Sequence, residues 1–310
     1  MWFIYALAAT LLWGAADLFY KKGADEADKY SHLKTTFFVG LVFGVHAAIT
    51  LVTKNVNYDF RNLLIYLPVS AMYIISMIFG YFGLRYLELS VSSPIQNSSG
   101  AVSAILLFIF LGETMDINTL LSVILISVGV FMIGYFEKKE IDLYEKEHDK
   151  KYKIGFVAFL MPILYCIIDS LGTFLDGYYL DDFASTPLVG VTEANFEDVA
   201  NISYELTFFI VAVLILLYIR GIKKESFSFT EFKQKDRLFA AIFETLGQAF
   251  YVYAMSGNAI VSAPLIGSYC IVSLILSRVF LKEKLSGKKY LSIGIAVLGI
   301  VLMGVIEGLG

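Results

Sequence analysis

Charge is what this sequence has least of. Only 17% of its residues are Asp, Glu, Lys or Arg, against a hydrophobic share of 58% and a mean hydropathy of +0.71. A soluble domain carries about a quarter charged residues, so the loops and outer faces of a large soluble core are not provided for. Cysteine is confined to Cys166 and Cys270, each inside an apolar stretch. Two lone thiols make neither a disulfide framework nor a metal site and read as small packing residues. Of three histidines, His32 and His148 fall in loops, which leaves no cluster with metal spacing and no basis for His-based catalysis. There is no phosphate-binding glycine loop, which excludes an ATP-driven pump acting by itself, and no Gly-x-Ser-x-Gly elbow. An enzyme, a cofactor and a nucleic-acid partner are therefore not expected.

What the sequence does have is long apolar blocks. One membrane span needs about 20 residues at 1.5 Å each, and lipid leaves no backbone group to be satisfied by solvent, so such blocks must be helical. Spans are expected near 2–20, 33–53, 63–85, 91–111, 118–136, 154–178, 202–220, 238–257, 260–281 and 290–307. The first block is followed, not preceded, by Lys21 and Lys22, the reverse of a signal peptide. Of the 24 Lys and Arg residues, all but Lys54 and Arg61 fall in the connections after odd-numbered spans. The positive-inside rule places those connections in the cytoplasm and both termini outside, in a multi-pass protein of the cell membrane. The longer connection 179–201 is acidic and would face out; Asn201-Ile202-Ser203 within it fits a glycosylation sequon.

The chain also resembles itself. Shifted by 170 residues, 81–134 align without a gap on 251–304 with sixteen identities in 54 positions, among them Tyr81/Tyr251, Ser92/Ser262, Pro94/Pro264, Ser103/Ser273, Glu113/Glu283 and Gly129/Gly299. A shift of 152 brings Trp13 onto Tyr165 and Asp17 onto Asp169. Each copy holds five spans, and an odd number inverts the second copy across the membrane. The expected fold is an all-α integral membrane protein of ten helices in two inverted five-helix repeats. Residues 1–137 form the first repeat, 138–153 a charged cytoplasmic linker, and 154–310 the second repeat with its extra outer loop. Inverted repeats are the architecture of alternating access around a shared central site.

The doubled segments Ser92-Ser93-Pro94 to Leu111-Gly112-Glu113 and Ser262-Ala263-Pro264 to Leu281-Lys282-Glu283, each followed by a Gly-containing apolar span, resemble the two EamA-type repeats of the drug/metabolite transporter superfamily; Trp13-Gly14 fits as well. The resemblance implies a transporter of small molecules whose spans 4 and 9 face a central cavity. Members export metabolites, amino acids or drugs, and some relatives take up choline or sugars.

Acids inside spans are costly, by about 2.5–3.5 kcal/mol at a helix centre on insertion scales, and so point to function. Three stand out. Glu244 shares a helix face with Gln248 and Tyr251; pairing with Arg237 is the competing role. Asp169 lies deep in span 6 on a face with Tyr165, Gly172 and Asp176, where a packing hydrogen bond competes. Asp17 shares a face with Trp13, Tyr20 and Lys21, and a local ion pair with Lys21 competes. Trp13, Tyr165, Tyr251 and Tyr253 recur beside these acids as candidates for an aromatic cage. Pro94 and Pro264 read as first-turn prolines. Asn97, Ser98 and neighbouring serines stripe span 4, and Tyr269 joins serines in span 9, as cavity-lining or packing residues. Glu113 and Glu283 read as interface caps or gate partners, His46 as a packed histidine or a proton relay, and Arg278 as snorkelling.

The expected activity is secondary active transport of a small amine, or another cationic or zwitterionic metabolite, as proton-coupled export. Uptake of a neutral solute such as a sugar is the alternative; a membrane enzyme or receptor is remote. The expected partners are the bilayer, the substrate and protons, and the protein acts as a monomer or homodimer.

Overall fold

The computed structural model describes residues 1–112, 114–147, 152–225, 227 and 232–309. All regular structure among them is helical: α1 (Trp2–Gly23), α2 (Ser31–Thr53), a short α3 (Arg61–Ile65), α4 (Leu67–Leu84), α5 (Leu89–Asn97), α6 (Ser99–Leu111), α7 (Ile117–Glu147), α8 (Tyr152–Leu180), α9 (Phe196–Leu217), α10 (Phe232–Gly267), α11 (Tyr269–Leu276) and α12 (Gly287–Leu309). Nine stretches among the described residues are long and apolar enough to cross a bilayer. One of them, Lys233–Leu281, has 49 residues, roughly 70 Å at 1.5 Å each and twice what one crossing needs. It is broken at Asn258, whose backbone is extended (φ −171°, ψ 84°). Past the break, Ser262 Oγ donates to Ala254 O at 2.8 Å, although eight residues of straight helix would separate them by about 12 Å. The chain doubles back there, so the stretch is two crossings and the total is ten.

The helices pair as the inverted repeat requires. The main contacts are α1 with α10, α4 with α8, α2 with α9, α7 with α12, and α5 and α6 with α10 and α11. In span numbers these are 1–8, 3–6, 2–7, 5–10 and 4–9. Exchanging the halves turns 1–8 into 6–3 and leaves the other three pairings unchanged. Each principal interface therefore joins one half to the other. Leu11, Ile105, Phe131, Leu217 and Val301 are left exposed on the outer surface, an apolar belt that suits lipid.

Spans 4 and 9 cross at the centre. Each carries its proline inside a helix, Pro94 in α5 and Pro264 in α10, not in a first turn. Each breaks four residues later at a repeat-equivalent serine, Ser98 and Ser268. The crossing is backbone on backbone: a Cβ on Gly100 would stand 2.5 Å from Ala263 O, and one on Gly267 would stand 2.9 Å from Asn97 O. Only glycine allows that approach.

Two boundaries differ markedly from the sequence-based expectation. Helix α7 continues to Glu147, so much of the charged linker is helical; residues 148–151, including His148, lie outside the described residues, as does Glu113. The connection between α8 and α9 is shortened to 181–195 because α9 starts at Phe196. The sequon is consequently not in a loop: Asn201 is a buried residue of α9, bonded to Glu205 at 3.1 Å. The remaining segment is clamped by the Asn62 amide, which donates to Val189 O and accepts from Val189 N, both at 2.9 Å.

Candidate functional site

The crossing of spans 4 and 9 leaves a buried cavity of about 60 Å³ between the halves. Nine of the candidates singled out above line it: Trp13 and Asp17 on α1, Asn97 on α5, Tyr165 and Asp169 on α8, Glu244, Gln248 and Tyr251 on α10, and Tyr269 on α11. Ser98 is not in the lining. Its hydroxyl turns back onto Pro94 O at 3.0 Å, because the break in span 4 aims Asn97 and Ser99 inward instead.

The two repeat-related acids cross-brace the seam. Asp17 accepts hydrogen bonds from Ser93 Oγ at 2.5 Å and from Ser273 Oγ, in the other half, at 2.7 Å. Asp169 accepts from Ser99 Oγ, also across the seam, at 2.7 Å, and from Ser76 Oγ at 3.5 Å. The local ion pair that competed for Asp17 does not form. Lys21 Nζ points the other way and donates to Leu84 O and Leu87 O at 2.9 and 2.5 Å, ending α4. Glu244 accepts from Tyr20 OH at 3.1 Å. Its expected competitor Arg237 donates to Gly23 O, Gln234 and Ser31 at the helix end. Among the described residues, no Lys, Arg or His nitrogen lies within 4.0 Å of Asp17, Asp169 or Glu244. Hydroxyl groups alone serve these three carboxyls.

Aromatic rings make the walls. Trp13 lies 5.1 Å from Tyr251 and 5.9 Å from Tyr269, centroid to centroid. It donates through Nε1 to Glu244 O at 3.2 Å and sits against Gly247, where a Cβ would meet the indole at 2.4 Å. Tyr251 and Tyr73 share a hydrogen bond of 2.6 Å, and Tyr73 donates on to Thr173 at 3.0 Å. Tyr81, in the same lining, lies 4.5 Å from the Tyr20 ring, centroid to centroid. Tyr253, expected beside these rings, is elsewhere: it donates to Asp198 at 2.5 Å on the outer side of α10.

Sequence reasoning passed over several lining residues, including Tyr20, Tyr73, Tyr81 and Tyr204. Two of them carried a signal: Tyr81 is the repeat equivalent of Tyr251, and Tyr20 shares the face of Asp17. Two buried acids were also missed as candidates. Asp176 lies behind the cavity wall and takes a short hydrogen bond from Tyr66. Glu205 is fully buried in α9 and bonds His46 Nδ1 at 2.7 Å; starting span 7 six residues late had left it near a span end.

The charged groups at the membrane faces have structural partners. Glu283 accepts from Leu89 N and Ser90 N at 3.0 and 2.9 Å, so an acid of the second half caps α5 of the first. Arg278 lies 5.5 Å from the Tyr290 ring. Lys54, just past α2, pairs with Asp198 at 2.7 Å and reaches Tyr253 at 2.8 Å. Burial works against its charge, but these two hydrogen bonds hold it above the usual lysine range.

Comparison with known proteins gives the same picture. No curated protein matches the chain. A solved crystal structure of a protein 13% identical in sequence superposes with a TM-score of 0.63, over 98% of this chain and 96% of that one; at such identity the likeness shows a shared fold. The EamA-like transporter family matches residues 1–135 and 184–305, one block in each half. The cavity between exchangeable halves is thus that of a membrane transporter of small molecules and not of an enzyme, and the chain belongs to the EamA-like transporter family.

Proposed function

We propose that this transporter is a proton-coupled secondary exporter of a small amine or other cationic or zwitterionic metabolite. One observation carries the reading: three carboxyls surround a ring-walled cavity and, among the described residues, have no cation beside them. An uncompensated carboxylate in a low-dielectric interior is strongly disfavoured, so each acid is balanced by a proton or by a visiting cation. A proton and an ammonium group that compete for the same carboxyl are thereby exchanged, and exchange is what couples two fluxes. The aromatic walls suit a cation with an apolar body. At about 60 Å³ the cavity holds a few waters by volume, which fits a contracted state that widens as the halves rock.

Glu244 is the proposed exchange site, since its single hydroxyl partner leaves it the least satisfied of the three. Asp17 and Asp169, each bridging to the opposite half, are proposed to report occupancy to the seam. The termini are proposed to lie outside the cytoplasm, from the distribution of Lys and Arg.

Glu244→Gln keeps the volume and the Tyr20 contact but cannot exchange a proton. Proton-driven amine transport in proteoliposomes is expected to fall about a hundredfold, at the lower end of what a positioned proton-transfer group supplies, with the thermal midpoint retained. Full pH-dependent transport by that variant would sink the assignment. The neutral-solute alternative has its own support in Gln96, Asn97 and Gln248, three amides in the lining. It predicts sugar uptake that Glu244→Gln leaves intact.

A further inference from the structure

A second cavity lies away from the seam, at the Lys/Arg-rich end of the bundle. It measures about 480 Å³ and is bounded by the α1–α2 connection, the start of α2, the end of α4 and Tyr218, a size within the usual range for ligand sites. Its central feature is Arg85, 8% exposed. The guanidinium donates from Nε to Asp25 O at 3.1 Å, from Nη1 to Lys29 O at 3.3 Å and from Nη2 to Glu26 O at 3.1 Å. All three acceptors are neutral carbonyls. Arg85 has no carboxylate within 4.0 Å among the described residues.

The neighbouring acids are engaged elsewhere. Asp25 pairs with Lys233 at 3.1 Å, and Asp28 pairs with Lys34 at 2.8 Å and Arg237 at 3.7 Å. Glu26 is the one acid in the lining, against Arg85 and Lys29. His32 lines the same space, and its buried Nδ1 has no partner. Phe82 and Tyr86 lie against the guanidinium, their ring centres 5.3 and 5.0 Å away. A guanidinium carries five N–H groups; three are used here, so two remain beside an unsatisfied imidazole and a lysine. A buried cation without an anion is as costly as the reverse.

We propose that this pocket binds a phosphate-bearing anion, with Arg85, His32 and Lys29 as its ligands. The arginine fork and a lysine charge suit phosphate oxygens. Its place at the start of α2 and the end of α4 is the bilayer–water boundary, where basic pockets between helices take phospholipid headgroups; a free phosphate ester offers the same chemistry. This site is independent of the amine reading for the central cavity.

The test uses the full-length protein in detergent micelles, titrated with phosphatidylglycerol, phosphatidylcholine and glycerol 3-phosphate and read by native mass spectrometry. Phosphatidylglycerol is expected to bind about tenfold tighter than phosphatidylcholine. Lys29→Gln and His32→Gln are each expected to weaken it about tenfold, the worth of one charge-assisted hydrogen bond. Arg85→Lys should weaken it as well; because Arg85 also ties down the α1–α2 connection, the other two variants decide the matter if this one misfolds. Binding of phosphatidylglycerol without glycerol 3-phosphate assigns the site to a lipid headgroup, and binding of both assigns it to the phosphate ester itself. Equal binding of the two lipids, or unchanged binding by Lys29→Gln and His32→Gln, overturns the proposal.

Discussion

Two groups of acids lie on opposite faces of α10. On one face Glu244, Gln248 and Tyr251 look into the central cavity. On the other, Ala249, Val252 and Tyr253 line a crevice of about 90 Å³ shared with His46, Lys54, Asp198 and Asn201, and Glu205 lies behind it, bonded to His46 and Asn201. Two of the crevice acids have basic partners built in, Glu205 with His46 and Asp198 with Lys54, each at 2.7 Å, while Glu197 accepts from Ser256 at 3.1 Å. The central acids have only hydroxyls. An acid whose charge is balanced by its own protein holds helices together. One that must find its counter-charge elsewhere is equipped to handle a traveller. Burial alone does not separate the two groups, since Glu205 is more buried than Glu244; the identity of the partner does.

The comparison breaks or sharpens most sharply on transport. Against the hundredfold loss expected for Glu244→Gln, Glu205→Gln should leave transport rates in proteoliposomes within about twofold, because the amide still accepts from His46 and Asn201. An equal loss in both would erase the distinction. The next effect is on stability. His46→Leu leaves the buried Glu205 carboxyl without its imidazole partner and is expected to cost about 3 kcal/mol, read as a lower unfolding midpoint in detergent. Asp17→Asn keeps one oxygen able to accept from both Ser93 and Ser273, which bond the same carboxyl oxygen, and should cost at most about 1 kcal/mol. If Asp17→Asn proves the more destabilising, the central acid is structural after all. The smallest effect belongs to Lys54→Met. Its side chain is 48% exposed, so the pair with Asp198 is worth at most about 1 kcal/mol, and raising the salt concentration should shrink that difference further.

Much of the central site was legible because repeats carry information twice. Asp17 and Asp169 match under one shift, and Pro94 and Pro264 under another. Glu244, Gln248 and Tyr251 share a stripe that any helix would present together. What went unread was decided by neighbours. Tyr253 is two residues from Tyr251, yet 200° of helical rotation sends it to the opposite face. Ser98 sits between Asn97 and Ser99, but the break in span 4 turns its hydroxyl onto its own backbone. Lys21 is one turn from Asp17, and the open carbonyls at the end of α4 proved the stronger attraction. Glu205 was hidden by a boundary: the acidic run before it resembled loop, whereas Glu197 and Asp198 favour a helix start and extend α9 outward.

The sequence by itself determined the number of crossings, their inversion and the residues able to bear charge inside a bilayer. Those follow from the length of apolar blocks, the parity of the repeat and the cost of burying a carboxyl, which are local quantities. Only the tertiary structure decided which of these charges is balanced. Ion pairs and hydrogen bonds form across helices far apart in the chain: Asp17 meets Ser273, Tyr20 meets Glu244, and His46 meets Glu205. No periodicity within one helix states which foreign side chain will stand 3 Å away.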